Sequence, residues 1–293
     1  MKFSGAYTAL ITPFKNGQVD EDAYRAHVEW QIEQGIEGLV PCGTTGESAT
    51  MSHEEHKRVI AICVDQVRGR VPVLAGAGSN NTIEAVELAR GAEEAGSDAL
   101  LLITPYYNKP SQEGLVEHFK SIAREVDLPM VVYNVPGRTS VNLLPATVER
   151  LWREIPNMIG IKEATGCLRQ ASDIIELCGP DFLMFSGDDF TAAPFMSLGG
   201  HGVISVVSNV VPAGMAGLCR ACAEGDGRRI RELHFELMPL CRAMFLEVNP
   251  VPVKTALSMM GRINMEVRLP LVPMSKVNQE HLAEIMKKAG LVG

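Results

Sequence analysis

Basic residues are scarce in this chain of 293 residues: 27 Lys and Arg stand against 35 Asp and Glu, a net charge of -8. With no basic cluster, neither nucleic acid nor an anionic membrane surface is an expected partner. Long apolar runs are also missing. No stretch approaches the roughly 18 residues that a membrane span requires. The opening MKFSGAYTALITPF lacks a secretory pattern, because its apolar part is short, is broken by Pro13 and carries no small-residue cleavage site. Aromatics supply only 5% of the residues, while 46% are hydrophobic and 21% charged, the balance of an ordinary globular protein. The seven cysteines are odd in number and scattered, so no disulfide framework is expected. Reduced thiols in a cytosol, and small-molecule chemistry, are the expectations that remain.

What is present is a rhythm. A short apolar run is followed by a Gly/Pro/Asn loop and then by an amphipathic stretch. The runs are 6–11, 38–41, 71–74, 99–103, 130–133, 158–161, 182–185 and 202–207, rich in Val, Ile and Leu with little alternation. Strands buried on both faces of a parallel sheet read this way. Between them stand helix signals: Asp20 before an acidic turn, Ser52 with Glu55 at capping-box spacing, Asn81 or Thr82, and Ser111. Eight such units predict an α/β fold, a (β/α)8 TIM barrel, rather than an open doubly wound sheet, which also lacks a glycine fingerprint after its first strand. The last 86 or so residues carry no strand run, only helical patterns at 212–223, 228–246, 253–260 and 279–289. The expected organisation is a catalytic barrel over 1–224 and a C-terminal helical extension over 225–293 packed on it.

In such barrels the chemistry sits at the carboxyl ends of the strands. The residues there are Gly43-Thr44-Thr45-Gly46-Glu47-Ser48, Thr104-Pro105-Tyr106-Tyr107, Tyr133-Asn134-Val135-Pro136-Gly137-Arg138-Thr139, Lys162-Glu163 and Ser186-Gly187-Asp188-Asp189. Lys162 is the most informative. The other nine lysines fall in loops or on helical patterns, where a solvated charge is expected, but Lys162 ends an apolar run. Desolvation would favour its neutral amine, the nucleophile of Schiff-base chemistry; an ion pair with Glu163 or Asp188 is the competing reading. Thr44 and Thr45, flanked by glycines, could approach a small anion, and no Gly-Lys-Ser/Thr makes this a P-loop. Tyr107 and Tyr133 could pass protons through a threonine hydroxyl, and Arg138 could grip a carboxylate. Gly199-Gly200-His201-Gly202 precedes a strand and reads as a tight turn, not a cofactor phosphate cradle. His53 and His56 share a helix face without an evident third ligand, so no metal is expected. Cys219 and Cys222 read as buried helix thiols.

These motifs, in this order from about Gly5 to Leu291, resemble the dihydrodipicolinate synthase family of the pyruvate-dependent class I aldolases. Thr8-Ala9-Leu10-Ile11-Thr12-Pro13-Phe14 and Asn249-Pro250-Val251-Pro252-Val253-Lys254 complete the match. The resemblance implies a lyase of lysine biosynthesis that joins pyruvate to L-aspartate 4-semialdehyde through an imine on Lys162, with no cofactor. It implies a proton relay of Thr44, Tyr107 and Tyr133, with Tyr107 donated across a dimer interface in a homotetramer. Thr45 would hold the pyruvate carboxylate, Arg138 that of the aldehyde, and Gly187 and Ile204 would surround the imine. It also implies inhibition by lysine at Ser48, Ala49, His53, His56, Asn80, Glu84 and Tyr106. Tyr107 and Arg138 separate this pattern from sugar-aldehyde lyases of the same superfamily, the nearest rival. A non-catalytic effector-binding barrel is the rival of a different class, and the joint presence of Lys162, Tyr133, Thr44 and Thr45 argues against it. The family often has glycine where this chain has Ser140.

Overall fold

The apolar runs form strands in the computed structural model, which describes residues 3–293. In chain order they are β1 (Gly5–Ala9), β2 (Phe14–Lys15), β3 (Gln18–Val19), β4 (Gly38–Val40) and β5 (Leu74–Gly76). They continue with β6 (Ala99–Ile103), β7 (Met130–Asn134), β8 (Met158–Glu163), β9 (Leu183–Ser186) and β10 (Gly202–Ser205). Eight of them lie in the order β4-β1-β10-β9-β8-β7-β6-β5, and their pairings are parallel. A parallel bridge between Leu39 and Val73 joins β4 to the edge beside β5 and closes the ring. The expected (β/α)8 barrel is the fold, with β2 and β3 added as a small antiparallel hairpin after the first strand.

Local chemistry explains the helix starts. Asp20 accepts from the Ala23 N–H, Asn81 from that of Ile83, and Ser111 from that of Gly114. Ser52 and Glu55 form a reciprocal capping box at the head of helix His53–Val67. The four C-terminal patterns are helices Pro212–Glu224, Gly227–Ala243, Val251–Met259 and Lys276–Lys288.

Strand β5 departs from its expected bounds, beginning at Leu74 instead of Val71. Pro72 has no N–H to place in a ladder, so only its carbonyl takes part, accepting from Leu39.

Apolar side chains pack in two layers. Tyr7, Leu74, Leu101, Val131, Phe185 and Ile204 fill the barrel, while a larger cluster between strands and helices runs from Ala6 to Met286. Burial of each large aliphatic side chain stabilises by about 1.5–3 kcal/mol. Among the described residues no helix is long and apolar enough to cross a membrane. All seven cysteines are free thiols, and Cys219 and Cys222 both lie on helix Pro212–Glu224.

Candidate active site

Lys162 owes its direction to an irregularity. Met130 pairs with Met158 but Val131 pairs with Gly160, so β8 carries one extra residue against β7. Met158 packs outward against the helices, Ile159 packs inward, and Ile161 again packs outward. The extra residue reverses the alternation of β8 and turns Lys162 into the barrel, as bulges beside active sites do. Tyr133 is its register partner on β7, and the Lys162 Nζ lies 4.2 Å from the centroid of the Tyr133 ring.

Only 6% of Lys162 is exposed. Burial brings its pKa down to about 7, the charge of Arg138 pushes the same way, and Asp189 opposes without prevailing. No carboxylate lies within ion-pair distance of Lys162 among the described residues. Glu163 is engaged by Asn134 at 2.9 Å, Gln170 at 3.0 Å and the Thr165 N–H at 2.7 Å. Asp188 accepts from the Thr191 hydroxyl at 2.7 Å. Neither partner named by the ion-pair reading pairs with Lys162, and burial favours its neutral amine. Gly187 makes room for the side chain: a Cβ there would stand 2.9 Å from the Lys162 Cε and 2.5 Å from the Ala164 Cβ. Ile204, 1% exposed, packs with Tyr133 in the barrel interior.

Tyr133 leads outward from the lysine. Burial raises its phenol pKa, while a hydrogen bond with the Thr44 side chain and the charge of Arg138 pull it the other way. Thr44, Tyr133 and Arg138 line a cavity of about 580 Å³. Arg138 sits on the short helix Pro136–Thr139, and its guanidinium donates to the Asn249 carbonyl at 3.3 Å. Ser140, which ends that helix, has φ +58°, the left-handed conformation that favours glycine. Thr45 is buried and, unlike Thr44, does not line the cavity; its hydroxyl oxygen accepts from the Asn249 amide at 3.0 Å.

The same cavity is lined also by Ser48, Ala49, His53, His56, Glu84 and Tyr106. Asn80 does not line it but donates to the Tyr106 carbonyl at 3.2 Å. His56 is turned inward, hydrogen-bonded to the Gly76 carbonyl at 2.7 Å with its pKa lowered by burial. His53 faces Glu87 at 4.0 Å, so the two histidines do not converge on one point.

Tyr107 is the predicted residue that this chain does not bring to the lysine. It is 89% exposed, at φ +70°, and lies outside the cavity lining.

Two groups were absent from the sequence-based list. Lys254, expected to be a solvated helix lysine, is instead fully buried in a 2.5 Å ion pair with Glu47. Asn249 stands between Thr45 and Arg138. Both belong to the Asn249–Lys254 motif, whose resemblance to the family was visible but whose roles were not.

A closed β/α barrel with a desolvated lysine at the carboxyl end of a strand, beside a phenol and a hydroxyl, holds the groups that imine formation of the class I aldolase type requires. The chain belongs to the dihydrodipicolinate synthetase family, whose model matches residues 2–289. It is 66% identical to the 4-hydroxy-tetrahydrodipicolinate synthase of Oleidesulfovibrio alaskensis, over 100% of both chains. The fold is similar to the chloride-inhibited dihydrodipicolinate synthase of Acinetobacter baumannii complexed with pyruvate, with TM-score 0.97, 44% identity and coverage of 99% of this chain and 100% of that one. It is similar also to the enzyme of Cyanidioschyzon merolae with lysine bound, with TM-score 0.96, 37% identity and coverage of 99% of each chain.

Proposed function

We propose that the chain condenses pyruvate with L-aspartate 4-semialdehyde, the reaction of a 4-hydroxy-tetrahydrodipicolinate synthase. The observation that carries this reading is the buried Lys162, its pKa drawn down by burial, against Tyr133, with Arg138 lining the same cavity as Tyr133. The amine of Lys162 attacks the keto carbon of pyruvate and water leaves, giving a protonated imine. Thr45 and loop amides hold the pyruvate carboxylate. Loss of a methyl proton yields an enamine, because the protonated imine draws the electron pair. The enamine carbon then bonds to the aldehyde carbon, whose oxygen takes up a proton. Arg138 holds the carboxylate of this second substrate by paired hydrogen bonds. The substrate's amino group finally adds to the imine carbon and displaces Lys162, closing the ring and restoring the free amine.

Each step moves a proton, and Thr44 with Tyr133 forms the inner part of the path. The outer part is Tyr107 of a second copy, since in its own chain that phenol projects into solvent. A dimer is then the smallest complete unit, and the resemblance extends it to a dimer of dimers. Lysine is the proposed regulator, bound in the same cavity with Glu84 facing its ammonium group. The lysine-bound relative supports that reading, and heat on titration with millimolar lysine, lost in Glu84→Ala, is the expected result in calorimetry.

The deciding experiment follows pyruvate consumption with L-aspartate 4-semialdehyde beside N-acetylmannosamine and glyceraldehyde. Turnover with the semialdehyde alone is expected. Turnover with only a sugar aldehyde would keep the Lys162 chemistry and overturn the second substrate.

A further inference from the structure

Asn249 touches both substrate grips at once. Its side-chain amide donates to the Thr45 hydroxyl oxygen at 3.0 Å, and its backbone carbonyl accepts from the Arg138 guanidinium at 3.3 Å. It is 6% exposed and Thr45 is 2% exposed, so water does not substitute for the contact between them at low cost. The direction of the first bond matters. A hydroxyl has one proton. With its oxygen occupied by the Asn249 N–H, Thr45 keeps that proton to give, and the acceptor that a pyruvate site offers is the carboxylate. The Asn249 Oδ1 is buried with no hydrogen-bond partner.

We propose that Asn249 is a positioning residue that sets the polarity of the Thr45 hydroxyl toward the pyruvate carboxylate while its carbonyl anchors Arg138 at the aldehyde site. The inference rests on the reading of the site as a pyruvate-imine centre. It separates two functions of one residue, since only the side chain serves Thr45 and only the backbone serves Arg138.

Substitution distinguishes polarity from shape. Asn249→Ala frees the Thr45 hydroxyl to rotate but keeps the carbonyl. The KM for pyruvate is expected to rise about tenfold, the worth of one hydrogen bond. The KM for the semialdehyde should stay within about twofold, because the backbone contact survives. Asn249→Asp keeps the shape but offers only acceptors, so it turns the Thr45 proton away from pyruvate and sets a negative charge beside a carboxylate. It is expected to be worse than Asn249→Ala for pyruvate, whereas a space-filling role would rank alanine worse.

Thr45→Val and the double variant Thr45→Val/Asn249→Ala complete a cycle that decides the matter even if Asn249→Asp does not fold. If Asn249 acts through the Thr45 hydroxyl, Asn249→Ala adds less than about twofold to the pyruvate KM once that hydroxyl is gone. Borohydride trapping of pyruvate on wild-type Lys162 runs alongside. No trapping in the wild type would overturn the imine reading itself. Trapping in the wild type, with independent and multiplying losses in the cycle, would overturn the role of Asn249 alone.

Discussion

A lysine amine reacts with a carbonyl only when it carries no proton, and burial of Lys162 is the means by which this fold supplies that state near neutrality. The rate of imine trapping by borohydride should therefore climb as pH rises through about 7 and level off above it, in place of the continued rise to about pH 10.5 of an exposed lysine. The same burial has a cost to stability. Between about pH 7 and 10.5 the unfolded chain binds a proton at Lys162 that the folded chain does not, so the stability contributed by this group rises with pH across that window. Lys162→Met should abolish trapping and raise stability by roughly 2–4 kcal/mol below pH 7. That advantage should vanish as pH nears the ordinary lysine value, as thermal unfolding at several pH values would show. A variant no more stable than wild type at pH 6 would mean that the amine is better solvated than its burial indicates.

Strands and helices were legible because their signals are local. Apolar runs and capping residues act over a few positions, and Ser52 with Glu55 behaves as its spacing predicts. The extra residue in β8 was not legible, because a reversal of alternation shows only against the neighbouring strand. Lys162 was found because a lysine at the end of an apolar run is unusual in itself. Lys254 was passed over although Val251, Val253, Ala256 and Leu257 around it are apolar, because a lysine on a helical pattern is ordinarily solvated and its partner Glu47 is 207 positions away. That pair joins helix Val251–Met259 to the Thr44–Thr45 loop, and Glu47 also accepts from the Arg268 N–H at 3.2 Å. Lys254→Met should cost about 3–5 kcal/mol, because it strands a buried carboxylate. The double variant Lys254→Met/Glu47→Gln, which removes the charge as well, should recover at least half of the loss in urea unfolding. If the double variant were as unstable as the single one, packing and not charge would be what the pair contributes.

At the scale of the whole molecule, one residue of the proposed relay is out of place within a single chain. Tyr107 is 89% exposed, and Tyr106 and Ile83, on neighbouring segments, are exposed as well. An apolar, aromatic surface of this kind beside a cavity mouth is the type that marks an interaction face. If two copies meet there and exchange Tyr107, each active site is composite, with Lys162 and Tyr133 from one copy and Tyr107 from the other. Two defective variants can then repair each other. In a mixed dimer of Lys162→Ala and Tyr107→Phe subunits, one site carries both defects, while the other pairs an intact Lys162 with an intact Tyr107. Unfolding is not needed to make the mixture if the two chains are co-expressed with different tags and purified through both. Activity per mixed dimer should approach half that of wild type, although each variant alone is nearly inactive. If Tyr107 served its own chain, neither site of the mixed dimer would be whole, and mixing would restore nothing. The outcome therefore decides whether the dimer is the catalytic unit or only its packaging.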